Sequence, residues 1–464
     1  MELQNRSIKN AYVVGIKGSG VVALAGILIR RGVQVSGSDT AERFFTDQIL
    51  AELNIPVKEG FSLDNLPDQA DVVIHSTAYT EENNLELREL RQRKVPMMSY
   101  PEALAALFNE KFGLAVCGTH GKTTTTALLG MALFRAGVDP TVVVGSRVNN
   151  WAAGSIVGDG EFFGIEADEY QNKLALYQPK AVILTSVDYD HPDFFPTVTA
   201  YQQAFRDFVA KIPKVGNLIV WGDSAETLAI AKAAHCQVTT YGFGKDNTYV
   251  ITQLRQLADQ ENQTVQTFHV LDGERDLGQF QIGLVGKHNV LNAASVIALA
   301  DRLGINLEKV GAGIKDFQGV ARRFELVGVR NGALLIDDYA HHPEEIKATL
   351  AGARERYPEK NIITVFHPHT FSRTAALLQE FAQSFDHADK VYVLDIYGSV
   401  RESQGAVSSQ DLVRLINRYV YGKAEHLPTV ADAVATLSNS IGTGDVVIAM
   451  GAGNVWEVVD KLKE

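Results

Sequence analysis

Cysteine is scarce: the 464-residue chain has two, Cys117 and Cys236. Two cysteines build neither a disulfide framework nor a four-ligand zinc site, and such sparing use fits a reducing compartment. Long apolar runs are missing too. None reaches the ~20 residues of a membrane-spanning helix, and the opening MELQNRSIKN lacks the apolar core of a secretion signal. Basic charge is in deficit, with 43 Lys and Arg against 55 Asp and Glu and a net charge of −12. A surface that follows nucleic-acid phosphates wants the opposite balance. No low-complexity tract occurs, and no repeat at the roughly 20–50-residue periods of solenoids and propellers. The expectation is a soluble cytoplasmic protein with no nucleic-acid and no membrane partner.

What is present is ordinary in bulk and specific in order. Apolar content of 46% and charged content of 21% are those of a globular protein. At roughly 150 residues per domain the length predicts about three domains. Short apolar runs rich in β-branched residues alternate with helical patterns, which implies parallel sheets covered by helices. The pattern starts at NAYVVGI, restarts at GLAVCGTHGKTTTTALLG, and restarts again at GALLIDDYAHHPEEI. Boundaries near 107 and 321 divide the chain into 1–107, 108–321 and 322–464. Between 237 and 286 the runs shorten and turns intervene, which predicts antiparallel strands in a small β-subdomain. The expected fold is α/β: a Rossmann-like N-terminal domain, a central P-loop-type domain with a parallel sheet, and a Rossmann-like C-terminal domain.

The stretch AVCGTHGKTTTTALL, residues 115–129, is a phosphate-loop pattern with its first glycine two residues late. A phosphate cradle needs inward-pointing N–H groups, small residues, a lysine and a hydroxyl at a helix start. Gly118, Gly121, Lys122 and Thr123 supply these after a buried strand. Two further strands end in acids: FFGIEADEYQNKL carries Glu166, Asp168 and Glu169, and AVILTSVDYDHPDFF carries Asp188, Asp190, His191 and Asp193. Strand C-termini converge on the ligand crevice of an open α/β sheet. One or two Mg²⁺ ions fit Thr123 with a carboxylate and an imidazole. The first domain has its own fingerprint, Gly18-x-Gly20-x-x-Ala23 after a strand, with Asp39 ending the next strand. From the residues alone a nicotinamide dinucleotide there is a fair expectation.

GTHGKTTT, IEADE, a DH after a strand, GKHNVLNAASVIALA, ARRFE, DDYAHHPEEI and FHPHTFSRT follow one another along nearly the whole chain. In that order they resemble the Mur ligase family of peptidoglycan synthesis, whose phosphate loop is the short G-T-x-G-K-[ST] form. The resemblance implies ATP and Mg²⁺ as cofactors. It implies an ATP site of Gly118, Thr119, His120, Gly121, Lys122, Thr123 and Thr124, with His288, Asn289 and Asn292 on the adenine side. Arg323 would reach the γ-phosphate and Asp338 the ribose. Thr123 would ligate a first Mg²⁺, and Glu166 and His191 a second. The first-domain loop would then hold the diphosphate of a UDP-sugar, through Gly15, Lys17, Gly18, Ser19, Gly20, Ser38 and Asp39. His369 and Arg373 would handle the incoming amino acid, and His341 with His342 mark the ATP-side loop of the third domain. The catalytic set on this reading is Lys122, Glu166, His191, Arg323, His341 and Arg373.

The wording points to the branch that joins L-alanine to UDP-N-acetylmuramate through an acyl phosphate, in a monomer or homodimer. FHPHTFSR and IYGSVRE favour it. Branches adding later residues carry a lysine about fifteen positions after the DH histidine, where this chain has Arg206. Several departures surround the substrate crevice: Lys17 where glycine is usual, Ser146 for a second glycine, Tyr170 after EADE, and Ser186 where asparagine is common. Tyr170 resembles the branch that rejoins a recycled tripeptide to UDP-N-acetylmuramate, which is the alternative. A non-catalytic nucleotide-binding protein and an NAD-dependent oxidoreductase are alternatives of other classes.

Overall fold

A computed structural model describes residues 2–3, 6–44, 46–151, 154–258, 264–398 and 405–463. Residues 399–402 of the IYGSVRE stretch lie outside the described residues. After a short hairpin of β1 (Glu2–Leu3) and β2 (Arg6–Ser7), β3 (Asn10–Val14), β4 (Gln34–Asp39), β5 (Val57–Glu59), β6 (Val72–His75) and β7 (Met97–Ser99) form a parallel sheet of order β5-β4-β3-β6-β7. Its central strands β3 and β6 are almost wholly buried apolar runs, as expected where both faces of a parallel sheet are covered.

The middle sheet has ten strands: β8 (Phe112–Cys117), β9 (Thr141–Val143), β10 (Ser155–Ile156), β11 (Phe162–Glu166), β12 (Ala181–Leu184), β13 (Asn217–Trp221), β14 (Gln237–Gly242), β15 (Tyr249–Ala258), β16 (Thr264–Asp272) and β17 (Arg275–Ile282). Their order is β10-β9-β11-β8-β12-β13-β14-β15-β16-β17. Of the strands expected to be antiparallel between 237 and 286, β15, β16 and β17 pair so with one another, whereas β14 is parallel to its neighbours. These three continue the main sheet, because β14 pairs in parallel with both β13 and β15. β8, β11 and β12 lie side by side, so their C-terminal ends bring residues 118, 166 and 185 together.

A third sheet joins β18 (Glu325–Arg330), β19 (Ala333–Asp338), β20 (Asn361–Phe366), β21 (Lys390–Val393), β22 (Ala424–His426) and β23 (Asp445–Met450) in the order β18-β19-β23-β20-β21-β22. The chain enters it through a sharp turn in which Gly319, Arg322 and Phe324 all have left-handed backbone, at φ 91°, 60° and 53°. Non-glycine residues hold such angles only where surrounding bonds demand them. Here Tyr339 N donates to the Arg322 carbonyl, and Phe324 N donates to Asp338. Among the described residues no helix is long and apolar enough to cross a membrane.

Candidate active site

β8 is buried from Gly113 to Cys117 and the chain then turns through Gly118 and Gly121, at φ 131° and 76°. A Cβ on Gly118 would collide with Thr185 Oγ1 and the Ser186 backbone, and one on Gly121 would stand 2.8 Å from Asn292 Oδ1. The loop is held from outside by the end of β12. Thr119 N donates to the Ser186 carbonyl at 2.9 Å, His120 N donates to Ser186 Oγ at 3.0 Å, and Thr185 Oγ1 donates to the His120 carbonyl at 2.6 Å. Ser186, a departure in the sequence, is therefore a bracket for the loop.

Lys122 opens the helix Lys122–Ala136. Its ammonium donates to the carbonyls of Gly118 at 2.5 Å and Thr119 at 3.1 Å, and stands 3.2 Å from Glu169 Oε2. Burial works against its charge, but Glu169, Asp168 and Glu166 outweigh burial and hold its pKa above the ordinary lysine value. Thr123 Oγ1 donates to Glu166 Oε1 at 2.7 Å, and Gly145 N donates to Glu166 Oε2 at 3.1 Å.

His191 has left-handed backbone, at φ 56°. The structure sorts the predicted metal ligands differently from the sequence. Glu166 lies with Thr123, whereas His191 joins Asp168 and Glu169 in a cluster whose ligand atoms are within 4.8 Å of one another. The chain beyond β11 brings Asp168 and Glu169 to His191, in the loop that follows β12. Hard carboxylate and hydroxyl oxygens with one imidazole suit Mg²⁺. Tyr170 closes the outer side, its hydroxyl donating to Asp193 at 2.7 Å and its ring 4.7 Å from that of His191. Arg206 turns back one helical turn to Gln202, at 3.0 Å.

The third domain supplies the opposite wall. Arg323 stacks 5.1 Å over the Tyr339 ring and reaches within 3.7 Å of Glu345. The Asp338 carboxylate lines a cavity but is already engaged by Phe324 N at 2.7 Å, Ala340 N at 2.9 Å and Thr349 Oγ1 at 3.2 Å. It anchors the interdomain turn, and a ribose contact would add to that work. Glu345 was missed from the sequence. It accepts from His341 N at 3.1 Å and stands 3.3 Å from His120 of the phosphate loop. Its place in the first turn of the helix Pro343–Arg356, four residues beyond His341, was the available signal. Burial holds His341 neutral, its pKa pushed down to about 3, and His288 likewise to about 4. His342 caps the helix Pro343–Arg356 by accepting from Glu344 N.

Arg373 is not an open receptor. It is 4% exposed; its Nε and Nη2 bond Asp190 Oδ1 at 2.9 and 2.8 Å, and Nη1 is 3.3 Å from His369 Nδ1. The sequence reading left the Arg373 fork free for an amino acid; here a carboxylate of the middle domain already holds it, a pairing that no local pattern reveals across 183 residues.

In the first domain the predicted set also divides. Ser19 and Gly20 open the helix Ser19–Arg30 and line a cavity, with Ser19 Oγ donating to the Gly145 carbonyl at 3.1 Å. Gly15 turns at φ 80° before that helix, and Gly18 is its N-cap. Lys17 faces neither phosphate nor solvent: its buried ammonium donates to the Glu42 carbonyl at 2.9 Å and pairs with Asp47 at 3.2 Å. Ser38 is fully buried and donates to Glu86 at 2.5 Å. The Asp39 oxygens accept from Lys17 N at 2.6 Å and Thr40 N at 2.8 Å, so the acid that would read a dinucleotide ribose is bound to its own loop. These three support the loop from behind.

Two cavities meet at the loop. One of about 590 Å³ runs from Ser19 and Gly20 past Lys122 and Glu166 to His191 and His341. The other, about 280 Å³, is flanked by Trp221, Tyr241, His288, Asn289 and Asn292. Both are bounded by Gly121, Thr123, Arg323 and Glu345. A phosphate chain lying along the loop would connect them.

Residues 10–112 match the Mur ligase family catalytic domain, 116–300 the Mur ligase middle domain, and 322–453 the Mur ligase glutamate ligase domain. The UDP-N-acetylmuramate–L-alanine ligase of Desulfitobacterium hafniense is 40% identical over 453 residues, 97% of this chain and 98% of its own. That of Treponema pallidum is 38% identical over 96% of this chain and 94% of its own. The solved UDP-N-acetylmuramate–alanine ligase of Thermotoga maritima superposes with a TM-score of 0.81 at 26% identity, covering 98% of each chain. A murein peptide ligase from Psychrobacter arcticus shares the fold with a TM-score of 0.70 at 24% identity, again over 98% of each chain.

Proposed function

The chain belongs to the Mur ligase family, and on that premise we infer that it is an ATP-dependent ligase joining L-alanine to the lactyl carboxylate of UDP-N-acetylmuramate in peptidoglycan precursor synthesis. The observation that carries this reading is the pair of cavities that share one phosphate loop. The smaller is flanked by Trp221 and Tyr241 and suits a purine; the larger reaches the helix start at Ser19–Gly20, where a pyrophosphate is favoured. The division into 1–107, 108–321 and 322–464 gives each substrate a domain: sugar nucleotide, ATP and amino acid in that order.

A carboxylate is a poor electrophile at neutral pH, so the substrate carboxylate attacks the γ-phosphate and becomes an acyl phosphate, with ADP leaving. The amino group of alanine then adds to the acyl carbon, phosphate leaves, and the amine proton is lost. Lys122 and Arg323 neutralise charge on the transferring phosphoryl group. The N–H groups at the helix start, from Gly121 to Thr124, hold the phosphates, since those of Thr119 and His120 are engaged by Ser186, and His288, Asn289 and Asn292 border the base. Thr123, Glu166 and His191, with Asp168 and Glu169 beside them, would hold Mg²⁺, which when bound supplies further charge neutralisation. His341, held neutral by burial, lines the larger cavity from the third domain. Use of ATP fits a cytoplasmic enzyme.

The test is phosphate release with ATP, Mg²⁺ and UDP-N-acetylmuramate against a panel of amino acids and the L-Ala-γ-D-Glu-diaminopimelate tripeptide. Release with L-alanine is expected. Release with the tripeptide alone would assign the chain to peptide recycling.

A further inference from the structure

The Arg373–Asp190 pair is unusual for an interaction between domains. Both side chains are nearly closed to solvent, at 5% and 8% exposure, and both guanidinium nitrogens of one edge converge on a single oxygen, Oδ1, which also accepts from His191 N at 2.7 Å. A buried ion pair with that geometry is not a casual surface contact, and breaking it strands a charge. Asp190 lines the large cavity, so the pair sits against the substrate space. The facing ionisable groups are His191 on the Asp190 side and His341, His342 and His369 from the third domain. The Arg373 Nη1 contact to His369, whose ring stacks 5.8 Å from Tyr397, extends the link into the third domain.

We propose that Asp190 is a positioning residue for the acceptor step: its carboxylate latches Arg373, so docking the third domain on the middle one and fixing the Arg373–His369 pair on which amino-acid use depends. The proposal rests on the ligase reading for its kinetic consequence, but not for the docking itself. Asp190 acts through Arg373, not by touching the reacting atoms.

The test uses the full chain as wild type, Asp190→Asn, Arg373→Gln and the double variant. The double variant leaves no unpaired buried charge, so it serves where a single variant folds poorly. Hydrogen exchange on the ligand-free proteins comes first. Faster exchange across residues 367–377 in either single variant is expected, with no change at residues 10–24. Unchanged exchange at 367–377 in both would overturn the latch, whatever the enzyme's substrate. Kinetics come second. Asp190→Asn should raise the KM for the amino acid about tenfold or more, with the KM for the sugar nucleotide within about twofold. In the Arg373→Gln background the same change should add little, because the two act as one unit. Penalties that multiply in the double variant, or a larger rise in the Mg²⁺ requirement than in the amino-acid KM, would show that Asp190 acts through His191 and overturn the proposal. Wild-type inactivity with every acceptor would sink the ligase reading and leave the exchange result standing.

Discussion

Lys122 Nζ stands 3.2 Å from Glu169 Oε2, a carboxylate whose side chain is 1% exposed. Burial already pushes the Glu169 carboxyl up against the pull of Lys122, so removing the lysine leaves it to stay charged without its cation or to take up a proton, at a cost of at most roughly 3–5 kcal/mol. Lys122→Ala is therefore expected to lose turnover and also to lower the melting temperature. Lys122→Ala with Glu169→Gln should regain most of the melting temperature and stay inactive. Thermal melts beside phosphate-release assays check this; full stability in Lys122→Ala alone would show that the pair carries no such weight.

Ligand protection should follow the two helix starts. UDP-N-acetylmuramate is expected to slow hydrogen exchange over residues 15–20, and ATP over residues 118–124. Protection of 15–20 by ATP and not by the sugar nucleotide would reverse the assignment of the domains.

Removing the divalent ion with EDTA should abolish phosphate release, and Mg²⁺ should restore it. Glu166→Gln and His191→Ala are each expected to raise the Mg²⁺ concentration for half-activity by about tenfold or more, since loss of ligand groups costs affinity on that scale. A Mg²⁺ titration that these substitutions leave in place would remove Glu166 and His191 from the metal site.

Asp337 lends the interdomain turn a pH dependence. It is 4% exposed, Arg322 Nε donates to its Oδ2 at 3.2 Å, and its Oδ1 has no hydrogen-bond partner among the described residues. Burial pushes its pKa up to about 7, against the opposing pull of Arg322. An unfolded aspartate titrates near ~4, so between about pH 4 and 7 the unfolded chain releases this proton first. The contribution of Asp337 to stability is full below that window, falls by up to ~1.4 kcal/mol per pH unit across it, and is flat above it. Asp337→Asn should therefore gain stability relative to the wild type as pH rises from 4 to 7. Paired denaturant titrations at several pH values measure it; a gap that is constant with pH would place the folded pKa near its ordinary value.

The phosphate loop, its strand and helix, and the acids at the ends of β11 and β12 were legible from the chain because each is a local pattern. Gly118, Gly121, Lys122 and Thr123 fall within six residues, and a buried strand leading to a helix start is written in periodicity. Glu345 was legible only in part, as a residue four beyond His341. The supporting roles of Lys17, Ser38 and Asp39 were not, because a side chain at a glycine-rich turn can point to the ligand or beneath it, and the sequence pattern is the same.

The sequence by itself determined three α/β units, a short phosphate loop at the start of a helix, and the order of motifs that marks a Mur ligase. These follow from hydrophobic period, turn chemistry and spacing, all set within some twenty neighbouring residues. Only the tertiary structure decided which carboxylate meets which cation. Glu166 went to Thr123, Glu169 to Lys122, and Asp190 to Arg373 on another domain. Charge pairing acts over a few ångströms of space with no regard to chain separation, and burial multiplies its strength, so its outcome is fixed by how the sheets bring their strand ends together.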